Sequence, residues 1–277
     1  MTVLTFTLIM LAAAYVAGLL GSLTGLGGGV VLIPLLTLVF HVDMRYAIGS
    51  ALLASIANSS GAASAYIKEG ITNIRLGMFL EIATTIGAVC GAVIAVFTPT
   101  NTIAILLGVV LLFSAAMTLR RKNEQALQQG SRLSHLLKLN NSYPTKDGIV
   151  HYELKNVAGG FGMMLVAGVL SGLLGIGSGA LKVLAMDSTM RIPFKVSTTT
   201  SNFMIGVTAA ASAVVYLQRG YIVPDIAFPV VLGVLGGAFT GARLLKVINA
   251  STLRYIFCAA IAFIALEMMY NGLHHKF

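Results

Sequence analysis

The chain has 277 residues, of which 57% are hydrophobic and only 10% are charged. Soluble globular domains carry about 25% charged residues, so this composition excludes a soluble protein and indicates a membrane protein. The formal net charge of +9 does not indicate nucleic-acid binding, because seven of the 18 basic residues fall within one polar segment, residues 120–156. Such a cluster marks the cytosolic side of a membrane protein, and we expect membrane lipids as neighbours for the apolar remainder.

Glycine-rich sequence occurs twice, at a constant separation of 150 residues. The same separation relates other positions along nearly the whole chain, for example Tyr66 with Tyr216 and Gly87 with Gly237. A fixed internal period is the signature of a duplicated unit. We predict a membrane repeat in residues 1–121, a cytoplasmic polar and basic loop in residues 122–156, and a second membrane repeat in residues 157–277.

The apolar runs give the same order of elements in both repeats. A long segment broken by glycines comes first, at 2–41 and again at 157–190. Three runs long enough to cross a bilayer, which takes about 20 helical residues, follow each segment: 47–67, 76–97 and 102–119, then 197–217, 226–245 and 253–271. The central loop adds one short amphipathic helix at 124–139. The runs do not alternate as transmembrane strands do, so the predicted fold class is an all-α polytopic membrane protein.

The two broken segments are predicted to be re-entrant hairpins. From Val30 to His41 there are 12 residues, about 18 Å of helix, whereas a hydrocarbon core is about 30 Å thick. If the second segment returns to the cytosol, most of the basic residues that follow it are also cytosolic, as the positive-inside rule requires. One hairpin plus three spans is an odd number of crossings, so we expect two inverted repeats whose hairpin tips meet near the midplane.

The hairpin tips are the predicted substrate site. Each tip leads into a short helix whose first turn presents unpaired backbone N–H groups and the positive end of the helix dipole. Glycines allow an oxyanion to approach that backbone closely. The residues assigned to binding are Gly25, Gly27, Gly28 and Gly29 in the first repeat, and Gly175, Gly177, Ser178 and Gly179 in the second. The alternative is that glycines serve only close helix packing, which we favour for Gly87, Gly91, Gly237 and Gly241.

Lys182 is the most informative single side chain. It comes three residues after Gly179, where the first repeat has Leu32. An intramembrane lysine is costly and therefore a functional candidate, and we expect an anionic substrate to compensate its charge. The alternative is a lysine that extends to the cytosolic interface.

The helix after each tip carries an unusual number of polar residues. The substrate-binding candidates among them are Ser50 and Asn58 in the first repeat, and Thr200, Ser201 and Asn202 in the second. Their hydroxyl and amide groups suit a sulfonate-like ligand, although ordinary interhelical hydrogen bonds would also explain them. Glu81 is a candidate carrier of a coupling proton, but its position near the start of its helix favours an interfacial location.

The residues that carry these motifs resemble the TauE/SafE sulfite exporter family. The stretches are Gly21-Ser-Leu-Thr-Gly-Leu-Gly-Gly-Gly-Val-Val-Leu-Ile-Pro34, Tyr46-Ala-Ile-Gly-Ser50, Gly172-Leu-Leu-Gly-Ile-Gly-Ser-Gly179 and Val196-Ser-Thr-Thr-Thr-Ser-Asn202. The resemblance implies a carrier in a prokaryotic inner membrane for sulfite, sulfonates, sulfoacetate or related organosulfur anions. Two departures between the copies, Ser178 for Gly28 and Leu184 for Pro34, predict an asymmetric site.

The expected activity is secondary transport, with export as the direction. Outward movement of one negative charge across 100 mV, inside negative, releases about 2.3 kcal/mol, so efflux of a monoanion needs no co-ion. An anion channel of the same fold is the alternative. An enzyme is not expected, because no His or Asp lies mid-span, and neither a cofactor nor a metal is indicated. The sequence leaves open whether two copies associate as a homodimer.

Overall fold

A computed structural model describes residues 3–24, 27–68, 70–119, 130–145, 148–244 and 250–274. The first repeat contains α1 (Val3–Thr24), α2 (Gly29–Pro34) with a π-helical turn (Leu35–Val39), α3 (Met44–Lys68), α4 (Ile74–Phe97) and α5 (Thr100–Leu119). The central region contains α6 (Arg132–Leu136), β1 (Asn141–Thr145) and β2 (Gly148–Tyr152). The second repeat contains α7 (Val157–Leu174), α8 (Gly179–Leu184) with a π-helical turn (Ala185–Thr189), α9 (Phe194–Gln218), α10 (Pro224–Leu244) and α11 (Ala250–Leu273).

These helices confirm the predicted all-helical membrane protein. The six predicted spans correspond to α3, α4, α5, α9, α10 and α11, with ends that differ by a few residues. Five helices within the described ranges are long and apolar enough to cross a membrane: Leu4–Ser22, Ile74–Phe97, Val157–Leu174, Phe194–Gln218 and Pro224–Gly241. The arms of each broken segment are unequal, because α1 has 22 residues whereas the helix Gly29–Val39 is short. The long arms α1 and α7 are therefore candidates to cross fully, whereas the helix Gly29–Val39 is too short at about 1.5 Å per residue.

The outer face of α4 shows how the bundle meets lipid. Seven of its exposed large apolar side chains follow one another at intervals of three or four residues: Ile74, Met78, Ile82, Ile86, Val89, Val93 and Phe97. That spacing places them on a single face of the helix. In water such a continuous apolar stripe would be unfavourable, so this face is suited to hydrocarbon.

Helices from one repeat pack on helices from the other in a reciprocal pattern. α1 lies along α10 and its equivalent α7 lies along α4, while α3 packs on α9 and α5 on α11. Glycines make the close approach possible. An added Cβ at Gly91 would overlap the carbonyl oxygen of Val169, and one at Gly237 would overlap that of Tyr15. The packing role predicted for these glycines is confirmed, and it explains why they recur in both copies.

The central loop differs from its prediction. Of the amphipathic helix expected at 124–139, residues 124–129 lie outside the described residues, and the remainder forms only the short α6. An antiparallel hairpin then pairs Asn141 with Tyr152. Tyr143, Tyr152 and Leu154 of this region are buried with side chains of the second repeat, such as Met186. The loop is therefore a folded element packed on the helical bundle.

Asn73 fastens this element to the bundle. Its side-chain amide donates to the carbonyl oxygen of Leu139 and to the Tyr152 hydroxyl, each at 2.9 Å. Its carboxamide oxygen accepts from the backbone N–H of Leu76 at the start of α4, and its own N–H donates to Thr200 Oγ1 on α9 at 3.1 Å. Burial raises the pKa of the Tyr152 phenol above its ordinary value, which keeps this hydroxyl protonated.

Substitution of glycines by alanine will distinguish the effect of close helix packing on stability from the effect of helix propensity. Gly87→Ala places a Cβ on the carbonyl oxygen of Leu165, and we expect it to destabilise the detergent-solubilised protein by about 1–3 kcal/mol. Gly162→Ala in α7 is the control, because its Cβ would meet no atom within 4 Å and alanine favours helix. Thermal unfolding should show a lower melting temperature for Gly87→Ala only, and equal effects would contradict the packing role.

Candidate functional site

The two glycine tips, residues 25–29 and 175–179, touch each other. A Cβ added at Gly29 would lie 2.8 Å from the carbonyl oxygen of Gly175, and one at Gly27 would lie 3.6 Å from that of Ile176. The prediction that the tips converge is thus matched by direct backbone contact. Gly25 lies outside the described residues, whereas Gly27, Gly28 and Gly29 are buried.

The tips meet beside the middle of three long helices. Gly29 faces Ser55 of α3, Gly27 and Gly177 face Ile205 of α9, and Gly28 faces Val234 of α10. Each of these partners lies near the centre of its helix, as Met44–Lys68, Phe194–Gln218 and Pro224–Leu244 show. The meeting point is therefore distant from the ends of the bundle.

The backbone of the second tip differs from that of the first. Gly175, Gly177 and Ser178 have φ of +70°, +68° and +45°, so α7 ends and α8 begins through left-handed residues. At the first tip Gly27 has φ of +83°, but Gly28 has an ordinary right-handed φ of −65°. Ser178 and Gly28 occupy equivalent positions, so the substitution noted in the sequence marks a true difference in backbone conformation. Leu184 and Pro34 do not mark one, since a π-helical turn follows both.

Several buried polar groups near the tips have no hydrogen-bond partner among the described residues. They are the hydroxyls of Ser50, Ser55, Ser171 and Ser178 and both side-chain polar atoms of Asn58 and Asn202. A buried polar group left unpaired costs about 1–3 kcal/mol. Unpaired buried donors and acceptors such as these require an explanation, and a polar ligand that pairs with them is one. Ser55 and Ser171 were not among the candidates, because the sequence alone does not distinguish them from other helical serines.

Two of the five polar candidates on the long helices have protein partners instead. Thr200 Oγ1 accepts from the N–H of Asn73, and Ser201 Oγ donates to the carbonyl oxygen of Gly179 at 3.1 Å. Ser201 thereby ties α9 to the start of α8, while Thr200 ties α9 to α4. Asn58 and Asn202 are brought near each other across α3 and α9, since Ser59 Oγ donates to the carbonyl oxygen of Asn202.

Lys182 is completely buried, with 0% of its surface exposed. Its ammonium group donates to Thr208 Oγ1 on α9 and lies 3.9 Å from Glu81 Oε2 on α4. The interfacial location favoured for Glu81 stays a prediction, and within the helix packing this residue is only 7% exposed. The expectation that an anionic substrate compensates Lys182 stays a prediction, and an internal carboxylate already lies beside this lysine. Sequence reasoning missed this pairing because the partners are about 100 residues apart.

Removal of one charge of this pair should lower the stability of the protein more than removal of both charges. Lys182→Met leaves the Glu81 carboxylate buried and uncompensated, for which we expect a loss of about 3–5 kcal/mol. Lys182→Met combined with Glu81→Met removes that penalty and should recover most of the stability. Leu32→Met changes the equivalent position of the first repeat and is the control. Melting temperatures of the purified variants test this, and a double variant as unstable as Lys182→Met would contradict the pairing.

Comparison with known proteins gives matches over most of the chain. The family model for "Sulfite exporter TauE/SafE" matches residues 10–268. The chain is similar to "Probable membrane transporter protein YunE" of Bacillus subtilis (strain 168), with 26% identity over 96% of this chain and 98% of the relative. It is also similar to "Probable membrane transporter protein YdhB" of the same strain, with 25% identity over 85% of this chain and 89% of the relative. No solved structure matches.

Proposed function

The chain belongs to the sulfite exporter TauE/SafE family of membrane transporters, and from this premise we propose that it exports small sulfur-containing oxyanions. The substrate class is sulfite, sulfonates and sulfoacetate-like anions, and the location is a prokaryotic inner membrane with the central loop in the cytosol. The observation that carries the proposal is the group of unpartnered buried polar atoms around the touching tips.

The donors in this region suit a tetrahedral or pyramidal oxyanion. The amide groups of Asn58 and Asn202 and the hydroxyls of Ser50, Ser55 and Ser178 are neutral donors without described partners. Several short hydrogen bonds from neutral donors hold an anion through its separate oxygens, and bonds to a charged group are stronger than neutral ones. Gly29 lets the first tip pack against Gly175 and beside the Ser55 hydroxyl, which brings the backbone of both tips to one of these donors.

The arrangement of the tips supports a mechanism of alternating access. Each tip belongs to a different repeat, and the elements that surround the meeting point are α3, α9 and α10. In an inverted repeat, movement of one half against the other opens the same central site first to one face and then to the other. The reciprocal pairing of α1 with α10 and α7 with α4 supports such a pseudo-two-fold relation.

A channel is the second candidate, and the closed contact at the centre argues against it. A Cβ added at Gly29 would lie 2.8 Å from the carbonyl oxygen of Gly175, so the described parts of the two tips are in contact at this point. Saturable counterflow in proteoliposomes supports a carrier, whereas a steady conductance without counterflow supports the channel. Export itself agrees with the inside-negative potential, which favours outward movement of a negative charge by about 2.3 kcal/mol per 100 mV.

A thermal-shift panel tests the substrate class. The purified chain is incubated with sulfite, thiosulfate, taurine, sulfoacetate, acetate or phosphate, and we expect the sulfur oxyanions to raise its melting temperature. Asn202→Leu copies Leu52 of the first repeat and should weaken binding about tenfold or more, since a hydrogen bond to a charged group is worth about 1.5–3 kcal/mol.

Ser60→Ala is the matched control for Asn202→Leu. The Ser60 hydroxyl bonds only within its own helix, to the carbonyl oxygen of Ile56 at 2.9 Å, so its loss should leave anion binding unchanged. If no sulfur oxyanion stabilises the unmodified protein, the proposed function is wrong. If Ser60→Ala weakens binding as much as Asn202→Leu, the central location of the site is wrong.

A further inference from the structure

Glu81, Thr208 and Lys182 form a buried polar chain between α4, α9 and α8. Lys182 Nζ donates to Thr208 Oγ1, and that hydroxyl donates in turn to Glu81 Oε1. Glu81 Oε1 also accepts from Thr85 at 3.3 Å. Glu81 Oε2 has no hydrogen-bond partner within the described part of the chain, although Lys182 Nζ lies 3.9 Å away. One oxygen of the carboxylate is thus fixed, and the other faces the ammonium group without a bond to it.

The charged pair joins the two repeats, Glu81 from the first and Lys182 from the second, and the equivalent positions form no second pair. The positions equivalent to Lys182, Glu81 and Thr208 are Leu32, Val231 and Asn58, which carry no charge. Both repeats nevertheless build the same short helix and the same long helices around it. The fold therefore does not require the ion pair, and desolvation makes a buried pair expensive unless it serves another purpose.

Few other charges lie on the elements that pack around the pair. Within the described residues, α5 and α7 contribute no acidic, basic or histidine side chain. The titratable groups of the remaining elements are Arg75 and Cys90 on α4, Asp187 in the turn after α8, and Lys195 and Tyr216 on α9. Arg75, Cys90 and Lys195 are exposed. The charge of Glu81 is therefore compensated mainly by Lys182, and the charge of Lys182 is compensated mainly by Glu81.

We propose that Glu81 takes up a proton when the transported anion binds, so that Lys182 exchanges its carboxylate partner for the substrate. The proposal rests on the proposed function. A proton from water bonds to Glu81 Oε2 and gives a neutral carboxyl group, while Lys182 keeps its positive charge and faces an anion oxygen. The site is electrically neutral before binding, as Lys⁺ with Glu⁻, and neutral afterwards, as Lys⁺ with a monoanion and a protonated Glu81.

Electrostatics disfavour binding of the anion beside Lys182 when Glu81 does not take up a proton. A monoanion added to an intact Lys182–Glu81 pair would leave a net negative charge in a region of low dielectric, where like charges repel strongly. A carboxylate beside a second negative charge takes up a proton more readily. Substrate and proton therefore bind cooperatively. A monoanion then moves without net charge, so that the gradients of the anion and the proton decide its direction. A dianion moves with one net negative charge, and the membrane potential favours export in that case only.

Isothermal titration with sulfoacetate between pH 6 and pH 8 tests the coupling. Both acidic groups of this ligand are ionised throughout that range, since carboxyl groups titrate near pH 4. For the unmodified protein we expect proton uptake on binding, measured as a difference in heat between two buffers of unlike ionisation enthalpy. The affinity should fall by up to tenfold for each unit of rising pH.

Three variants separate coupling from mere stabilisation. Glu81→Gln imitates the protonated carboxyl group, so it should bind sulfoacetate at every pH with the affinity of the unmodified protein at low pH, and without proton uptake. Lys182→Met should bind at least tenfold more weakly. Leu32→Met, at the equivalent position of the first repeat, should keep both the affinity and its pH dependence.

The results distinguish this proposal from the proposed function. Sulfoacetate binding without proton uptake, or with the same pH dependence in Glu81→Gln as in the unmodified protein, overturns the coupling and leaves the substrate site in place. Failure of the unmodified protein to bind sulfoacetate at any pH overturns the proposed function for this anion, and the coupling with it. If Glu81→Gln does not fold, the buffer comparison on the unmodified protein still decides the question.

Discussion

The contact between Gly29 and Gly175 determines where everything else at the centre of the molecule lies. A side chain at residue 29 would meet the Gly175 carbonyl oxygen at 2.8 Å and the Ser55 hydroxyl at 3.1 Å. Only bare backbone allows the two tips to meet there, and only their meeting brings the starts of α2 and α8 beside the middles of α3 and α9. Irregular backbone is tolerated at membrane depth when it is buried in protein or lines a polar cavity. Here protein surrounds it, and unpartnered side chains such as Asn58 and Asn202 lie close by.

The two repeats have equivalent helices but differ in their charged residues and in the backbone conformation of their tips. The second repeat holds Lys182, places Ser178 in a left-handed conformation and binds Glu81 of α4 through Thr208, whereas the equivalent region of the first repeat is uncharged. The central hairpin packs on the same side, because the N–H of Lys155 donates to the carbonyl oxygen of Met190, just after α8 and its turn. The two repeats thus have equivalent helices, and the residues that differ between them make the proposed site asymmetric.

The sequence predicted the helices well because their signals are local. Apolar runs of about 20 residues and glycine pairs at a fixed spacing are visible without knowledge of distant partners. The Glu81–Lys182 pair was not predictable, because it depends on how α4 packs against α8 and α9. The same limit applies to Thr200 and Ser201, whose partners Asn73 and Gly179 become apparent only in three dimensions. The hairpin Asn141–Tyr152 was missed because its strands have only five residues each and do not alternate regularly between apolar and polar side chains.

A transporter must release the ion that it binds, and this requirement explains a paired lysine better than a free one. An isolated buried lysine would hold an anion strongly, because attraction between charges grows as the dielectric falls. Binding of the ion must be favourable enough for the ion to enter the site and weak enough for it to dissociate. In the proposed cycle the Glu81 carboxylate competes with the anion for Lys182. Loss of the Glu81 proton restores this carboxylate, whose Oε2 lies 3.9 Å from Lys182 Nζ. That separation is too long for a hydrogen bond, so the pair opens without breaking one. Thr208 holds Glu81 Oε1 throughout, which keeps the carboxylate in position to return.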